Sequence, residues 1–354
     1  MEDYTSMVKG DKFLWILLAS IFAVPFSGAF AVNSWVMQSY VLYLFMAMFT
    51  IMKISSLNEH HRWLVLKALI VLVILQGILV VLQYFNLDPL FNSLKNPGVD
   101  LPFGFSGSPN QSGVFFGTTL PLVAGLFPLA LPLSLFGLLC AKTTSAWIGA
   151  MAGIALMSPK RTRKYMFMLI VVASILFFAR FETVSDGALK ERELLYRSTL
   201  KASMTGVLPI KFKDKIKLVK WNPFFGAGLG SFKRLSPHNQ SLWIDRPNAR
   251  VSHRYMKAHN DYLQIFFENG WLGITTVCMF LLIGLYRYIQ AKKTKMLMIV
   301  SSCLVVQLIS SLGIFTVHTA TSGMLLVIFT GLFIGETNAR GSTEATRPSN
   351  RIRK

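Results

Sequence analysis

Apolar runs of membrane-spanning length recur along this chain, and they limit its fold more than any other feature. Phe13–Val32, Trp35–Met52, Lys67–Phe85, Tyr165–Phe178, Tyr262–Tyr286, Met296–Phe315 and His318–Gly335 each read as a span. About 20 apolar residues in helical form cross a hydrocarbon core roughly 30 Å thick. Composition agrees: 53% of the residues are hydrophobic and 15% charged, the profile of a polytopic membrane protein. The run Phe13–Val32 follows Lys9 and Lys12, and Ala29-Phe30-Ala31 faintly resembles a signal-cleavage site. The run is long for a signal peptide, so an uncleaved first helix is expected.

Between Gly113 and Met157 the chain is largely apolar, broken by Pro121, Pro128, Pro132 and the Lys142–Ser145 patch. That is awkwardly short for three straight helices and too long for one. Charge decides the parity. Basic clusters at Lys9/Lys12, His60-His61-Arg62, Lys160–Lys164, Lys292–Lys295 and the C-terminal tail belong on the cytoplasmic side. Placing them all there requires an odd number of crossings within Gly113–Met157, which three short or kinked helices satisfy. The expected fold is all-α: a polytopic transmembrane helix bundle of about ten spans with one large extracytoplasmic loop domain. The expected division is residues 1–180 as an N-terminal bundle, 181–258 as the extracytoplasmic loop, 259–337 as C-terminal helices and 338–354 as a basic cytoplasmic tail.

The net charge is +20. Many basic residues sit between apolar runs, so anionic lipid and phosphate partners are expected and nucleic acid is not. The loop Phe181–Ala258 alone carries 15 Lys/Arg against 6 Asp/Glu. Loops longer than about 60 residues escape the positive-inside rule, so this external charge needs a functional explanation. Cys140, Cys278 and Cys303 lie in or beside apolar runs without metal-like spacing and read as small core residues.

Five segments could carry chemistry. His259-Asn260 precedes the run beginning at Tyr262; a helix starting near Asn260 or Asp261 would be capped by either and would hold the imidazole at its mouth, at about headgroup depth. There it could take a proton from an acceptor hydroxyl. Glu268 lies two turns into the same run, where an ionisable group is costly and a functional candidate by default. It stands nine residues from His259, on the opposite face, so a basic or amide partner on a neighbouring helix is expected. Pro223-Phe-Phe-Gly226-Ala-Gly228-Leu-Gly230-Ser-Phe232 is a tight turn; a nucleotide-binding reading lacks the βαβ setting it needs. Arg192, Tyr196 and Arg197 lie in a short amphipathic helix with Glu191 and Glu193. Lys211–Lys220 alternates charged and apolar residues and fits a strand or a helix face. In the outer loop Gly104–Gly113, Asn110 could cap the next helix or meet sugar hydroxyls.

His259-Asn260, nine residues, Gly270, two residues and Gly273 resembles the signature of bacterial O-antigen ligases and related O-antigen polymerases. His238-Asn239 lacks the pattern, since Ala249 stands where the glycine should, and His253 lacks it too. The Pro223–Phe232 turn, the Arg192–Tyr196 spacing and the Pro109-Asn110 pair resemble further segments of that family, although the family more often has Trp where Tyr196 stands. The resemblance implies a membrane glycosyltransferase of the bacterial inner membrane, with its active site on the periplasmic face. It implies an undecaprenyl-diphosphate-linked glycan as donor and lipid A core, a glycan or a protein as acceptor. It implies His259 as base and Arg192, or Arg197 a turn away, on the diphosphate, with Asn260, Gly228, Gly230, Asn110 and Glu268 near substrate. No cofactor is expected. No Asp-x-Asp-like metal site stands in the outer loops, since Glu191-x-Glu193 brackets an arginine, so metal independence is expected. The histidine pattern favours a ligase or protein-glycosylating transferase over a polymerase. A lipid-linked sugar transporter is the rival from another class, but it calls for internal repeats and midplane polar groups, and no repeat is visible.

Overall fold

The computed structural model describes residues 34–88, 90, 101–158, 168, 186–212, 215–240, 242, 257–314 and 319–338. The expected first span Phe13–Val32, nearly all of Tyr165–Phe178, His253 and the tail beyond Asn338 lie outside the described residues. The helices are α1 (Ser34–Ser55), α2 (Glu59–Tyr84), α3 (Pro109–Leu126), α4 (Leu131–Ala141), α5 (Thr144–Met157), α6 (Asp186–Thr205), α7 (Ser231–Gln240), α8 (Asp261–Gln290), α9 (Lys295–Ser310) and α10 (Ala320–Asn338). Strands β1 (Val207–Phe212) and β2 (Lys215–Lys220) pair antiparallel. The fold is therefore mostly helical, and the all-α expectation is corrected by one hairpin. Its register sets Ile216 opposite Lys211 and Val219 opposite Leu208, which resolves the Lys211–Lys220 ambiguity in favour of a strand.

Three described helices are long and apolar enough to cross a membrane: α2, α8 and α10. Leu42–Ser55, Pro128–Ala141, Thr144–Met157 and Lys295–Ser310 are shorter apolar helices. The awkward stretch Gly113–Met157 does divide into three helices. Phe127-Pro128 ends α3, and Lys142 in the left-handed region (φ 50°) ends α4.

The chain forms two compact units. One comprises Phe49–Ser174, Gly284–Ser310 and Thr316–Lys354. In it, α5 lies on α9 through Gly149 and Gly153, whose missing side chains admit the carbonyls of Val306 and Ser302. This is the small-x-x-x-small contact that lets membrane helices approach closely. Gln307 of α9 accepts from Thr118 of α3 (2.8 Å) and donates to the Ser322 carbonyl of α10 (3.0 Å). Arg62 of α2 forms a buried ion pair with Glu336 of α10 at 3.1 Å, and Thr294 donates to the same carboxylate. Arg62, read in the sequence as part of a cytoplasmic basic cluster, is thus buried in an ion pair. Asn110 stands inside the first turn of α3, exposed, its Oδ1 accepting from Thr143 at 3.3 Å. The capping role expected of it belongs to Ser108, whose hydroxyl accepts from the Gln111 amide.

The other unit comprises Met1–Met48, Ile175–Ile283 and Ser311–Phe315. Its core gathers Leu195 and Ala202 from α6, Leu208 from β1, Ala227, Phe232 and Leu235 from the glycine-rich turn and α7, and Ala258 and Phe267 around the start of α8. Phe267 takes Trp221 and Phe232 edge-on at 5.1 and 5.3 Å. Fully burying such a ring contributes roughly 2–3 kcal/mol.

Candidate active site around His259

α8 is not one helix. At Gly270 the backbone takes φ 61°, ψ −156°, a conformation essentially restricted to glycine. A break releases carbonyls before it and amides after it, and buried backbone groups need partners. The glycine-rich turn supplies them. Ala227 and Gly228 donate to the carbonyls of Phe267 and Glu268 (2.9 and 2.8 Å), while Trp271 and Leu272 donate to those of Pro223 and Phe224 (3.1 and 3.0 Å). The fit is backbone against backbone: a Cβ on Gly270 would stand 2.5 Å from the Gly226 nitrogen, and one on Gly226 would lie 2.5 Å from the Glu268 carbonyl. The two motifs read separately in the sequence are thus the two halves of one lock. Gly228 is committed to that lock, and Gly230 is buried beside it at the start of α7.

Glu268 belongs to the same structure. It is buried, and its Oε1 accepts from the Phe232 amide at the N-terminus of α7 (3.3 Å) and from Gln264 Nε2 (3.3 Å). A carboxylate at a helix N-terminus is favoured by the orphan amides and the dipole. The amide partner expected on a neighbouring helix is therefore the backbone of α7, joined by a side-chain amide one turn away on α8.

His259 itself stands just outside α8 with φ 53°, a left-handed conformation costing a non-glycine residue about 1–2 kcal/mol. The flanking chain fixes it. Gln264 Oε1 accepts from the Ala258 amide (3.3 Å), Tyr196 Oη donates to the His259 carbonyl (3.1 Å), and the Asp261 amide donates to Ser311 (3.0 Å). Asn260 is the cap: its Oδ1 accepts from the Leu263 amide at 3.0 Å and its carbonyl from Gln264 at 3.1 Å. The left-handed residue before this cap turns the chain into the helix, so strain and cap together present the imidazole.

Burial, then the positive charges of Arg192 and Lys257, depress the His259 pKa from 6.5 to about 4. The imidazole is therefore neutral at any ordinary pH, the form a base requires. Burial raises the Tyr196 phenol, against the opposing pull of Arg192. Burial likewise lowers Lys257, with Asp261 opposing and Lys233 reinforcing. Arg192 and Tyr196 are one turn apart on α6 and both act at His259. Arg197 faces elsewhere, in an exposed i,i+4 ion pair with Glu193 at 2.6 Å. The charge of Arg192 is felt at His259, whereas Arg197 is engaged with Glu193.

Among the described residues no three His, Cys, Asp or Glu side chains come together as a metal site. Cys140 and Cys303 are buried, but Cys278 is exposed on α8 and is not a core residue. Gln264, Lys257 and Ser311 were not singled out in the sequence. The four-residue spacing of Gln264 and Glu268 was the readable signal; Ser311 had none, because its contact crosses 50 residues of chain.

Residues 129–278 match the family model described as O-Antigen ligase. Over this stretch the chain is similar to O-antigen ligases. It contains the glycine lock, Arg192 and His259. No curated protein matches the chain significantly.

Proposed function

We propose that the protein transfers a glycan from an undecaprenyl-diphosphate carrier to an acceptor hydroxyl, without a metal, on the periplasmic face of the bacterial inner membrane. The observation that carries this reading is a neutral, rigidly presented His259 beside an exposed Arg192, within the stretch similar to O-antigen ligases. His259 takes the acceptor proton as the acceptor oxygen bonds to the anomeric carbon. The bond from that carbon to the diphosphate oxygen breaks, and its electron pair leaves with undecaprenyl diphosphate. Arg192 meets the charge that accumulates on the leaving group, through paired charge-assisted hydrogen bonds. The leaving group is already good, so a base and a cation suffice and nucleotide recognition is unnecessary. Three helices of spanning length and four shorter apolar helices among the described residues support a polytopic bundle. The histidine pattern favours lipid A core or a protein hydroxyl as acceptor over a growing glycan.

Purified protein incubated with the defined donor and each acceptor class decides among them by the mass of the product. Glycan on lipid A core supports the ligase reading, product on glycan or protein moves it to the corresponding alternative, and no covalent product with any acceptor removes it.

The two arginines make a second test. Arg192→Lys keeps the charge but loses the guanidinium fork, so turnover falls about tens- to a hundredfold. Arg197→Lys leaves it nearly unchanged, because an exposed pair contributes little. The pH profile gives an independent sign. The active form of His259 is the deprotonated one, so kcat/KM for wild type holds above about pH 4 and falls as pH drops through that value. Arg192→Gln removes a cation that disfavours imidazolium, and the acid limb moves to higher pH. An unmoved limb, or Arg197→Lys as the more damaging change, reverses the assignment.

A further inference from the structure

The two parts of α8 face different surroundings. Before Gly270, the residues Asp261, Gln264, Phe266, Phe267, Glu268 and Asn269 are buried in protein. After it only Gly273 is buried, while Trp271, Met279, Leu282, Leu285, Tyr286 and Ile289 are exposed. The helix beyond the break, Trp271–Gln290, is about 30 Å long at 1.5 Å per residue, which equals the hydrocarbon thickness of a bilayer. The apolar window that qualifies α8 as a span is only 6% buried, so it lies on the second part of the helix, not the first. At the break itself the glycine lock holds three exposed aromatic rings together: Phe224, Phe225 and Trp271 are 52%, 41% and 46% exposed, joined by the Trp271 and Leu272 amide bonds to Pro223 and Phe224. Aromatic side chains gather at membrane–water boundaries. Nearby in the same unit, β2 exposes Ile216 and Leu218, with Lys211 and Lys220 on the same face of the hairpin. This combination of apolar surface and lysines complements a layer of anionic phosphates.

We infer that this surface is seated in one leaflet of the bilayer, with Phe224, Phe225 and Trp271 at headgroup level and α8 entering the hydrocarbon at Trp271, not at Asp261. The glycine lock is then a membrane gauge as well as a helix break: it fixes the depth of the stretch similar to O-antigen ligases against the start of the span. Glu268, which the sequence placed two turns inside the membrane, sits before the boundary and is sheltered by protein. His259 lies two residues before the start of α8, and the nine residues from Asp261 to Gly270 rise about 14 Å, which places it within reach of a lipid-borne diphosphate. The inference rests on the chain being a membrane protein and not on the transfer chemistry.

Nitroxide depth measurements separate the two placements without any activity readout. In a background with Cys140, Cys278 and Cys303 replaced by alanine, Phe225→Cys, Thr275→Cys and Leu282→Cys are each spin-labelled in nanodiscs containing anionic phospholipid. All three positions are exposed, so the labels do not disturb the core. Oxygen against nickel-chelate accessibility then gives depth. The expected order is 225 at the headgroups, 275 about 6 Å below Trp271, and 282 about 16 Å below it, near the midplane. If α8 entered at Asp261, 275 would be deeper than 282, and that order overturns the inference. A label at 225 reached freely by nickel, as in bulk water, also overturns it. So does one reached by neither reagent, which marks a protein partner instead of lipid.

Discussion

His259→Ala loses glycan transfer while the protein still inserts, folds and binds donor. A positioned base contributes about 10²–10⁴-fold, and nothing described in this site replaces the imidazole at the mouth of α8. The loss falls on kcat, because removing a group that acts only as the acceptor loses its proton leaves ground-state binding intact. His238→Ala is the control. That residue lies in the last turn of α7, half-buried, and its replacement has a small effect. Steady-state kinetics with purified donor and acceptor, alongside a donor-binding measurement, distinguish the outcomes. Near-normal turnover in His259→Ala would reduce the histidine to a left-handed link before a helix cap.

Gly270→Ala removes folded protein instead of activity. The conformation at Gly270 is one that alanine reaches only under strain, and the added Cβ would stand 2.2 Å from the Pro223 carbonyl oxygen, a backbone atom that cannot swing aside. Strain of about 1–3 kcal/mol and overpacking of about 1–3 kcal/mol together take a large share of the roughly 5–15 kcal/mol that stabilises a typical domain. Gly226→Ala attacks the same lock from the other side, at φ 78° against the Glu268 carbonyl, and behaves alike. Gly284→Ala, in open space on the same helix, is neutral or slightly stabilising. Thermal unfolding in detergent ranks the three. A Gly270→Ala protein as stable as Gly284→Ala would mean that α8 runs straight.

Much of this was legible in the sequence, and the remainder was hidden for identifiable reasons. The Asn260 cap could be read from residue type and position alone, as could the three-helix division of Gly113–Met157, because proline and the Lys142 patch interrupt an apolar run whatever surrounds them. The break in α8 was not visible. Tyr262–Tyr286 averages to one apolar span, and a single glycine does not reveal that its carbonyls are needed by a turn forty residues upstream. Glu268 was recognised as out of place in a span, but its partner is a backbone amide, which carries no side-chain signature. The burial of Arg62 depended on Glu336, far along the chain, so in the sequence it counted only as one more charge of a cytoplasmic cluster. The strand at Lys215–Lys220 needed β1 beside it before alternation could be told from a helix face. The sequence already put Arg192 ahead of Arg197, but the exposed pairing of Arg197 with Glu193 depended on the helix that α6 forms.

Opposing influences act on the protonation of His259. A lipid diphosphate favours imidazolium, whereas burial and the cations favour imidazole. Burial and the cations hold the His259 pKa at about 4.

The measurement that tests the account most directly is a single turnover in nanodiscs, with limiting undecaprenyl-diphosphate glycan, excess acceptor and a metal chelator present. Glycosylated acceptor and released undecaprenyl diphosphate are predicted to appear together, in equal amounts and at the same rate, in wild type and not in His259→Ala. Donor left chemically intact by the wild-type protein, or product formed only when metal is restored, would contradict it.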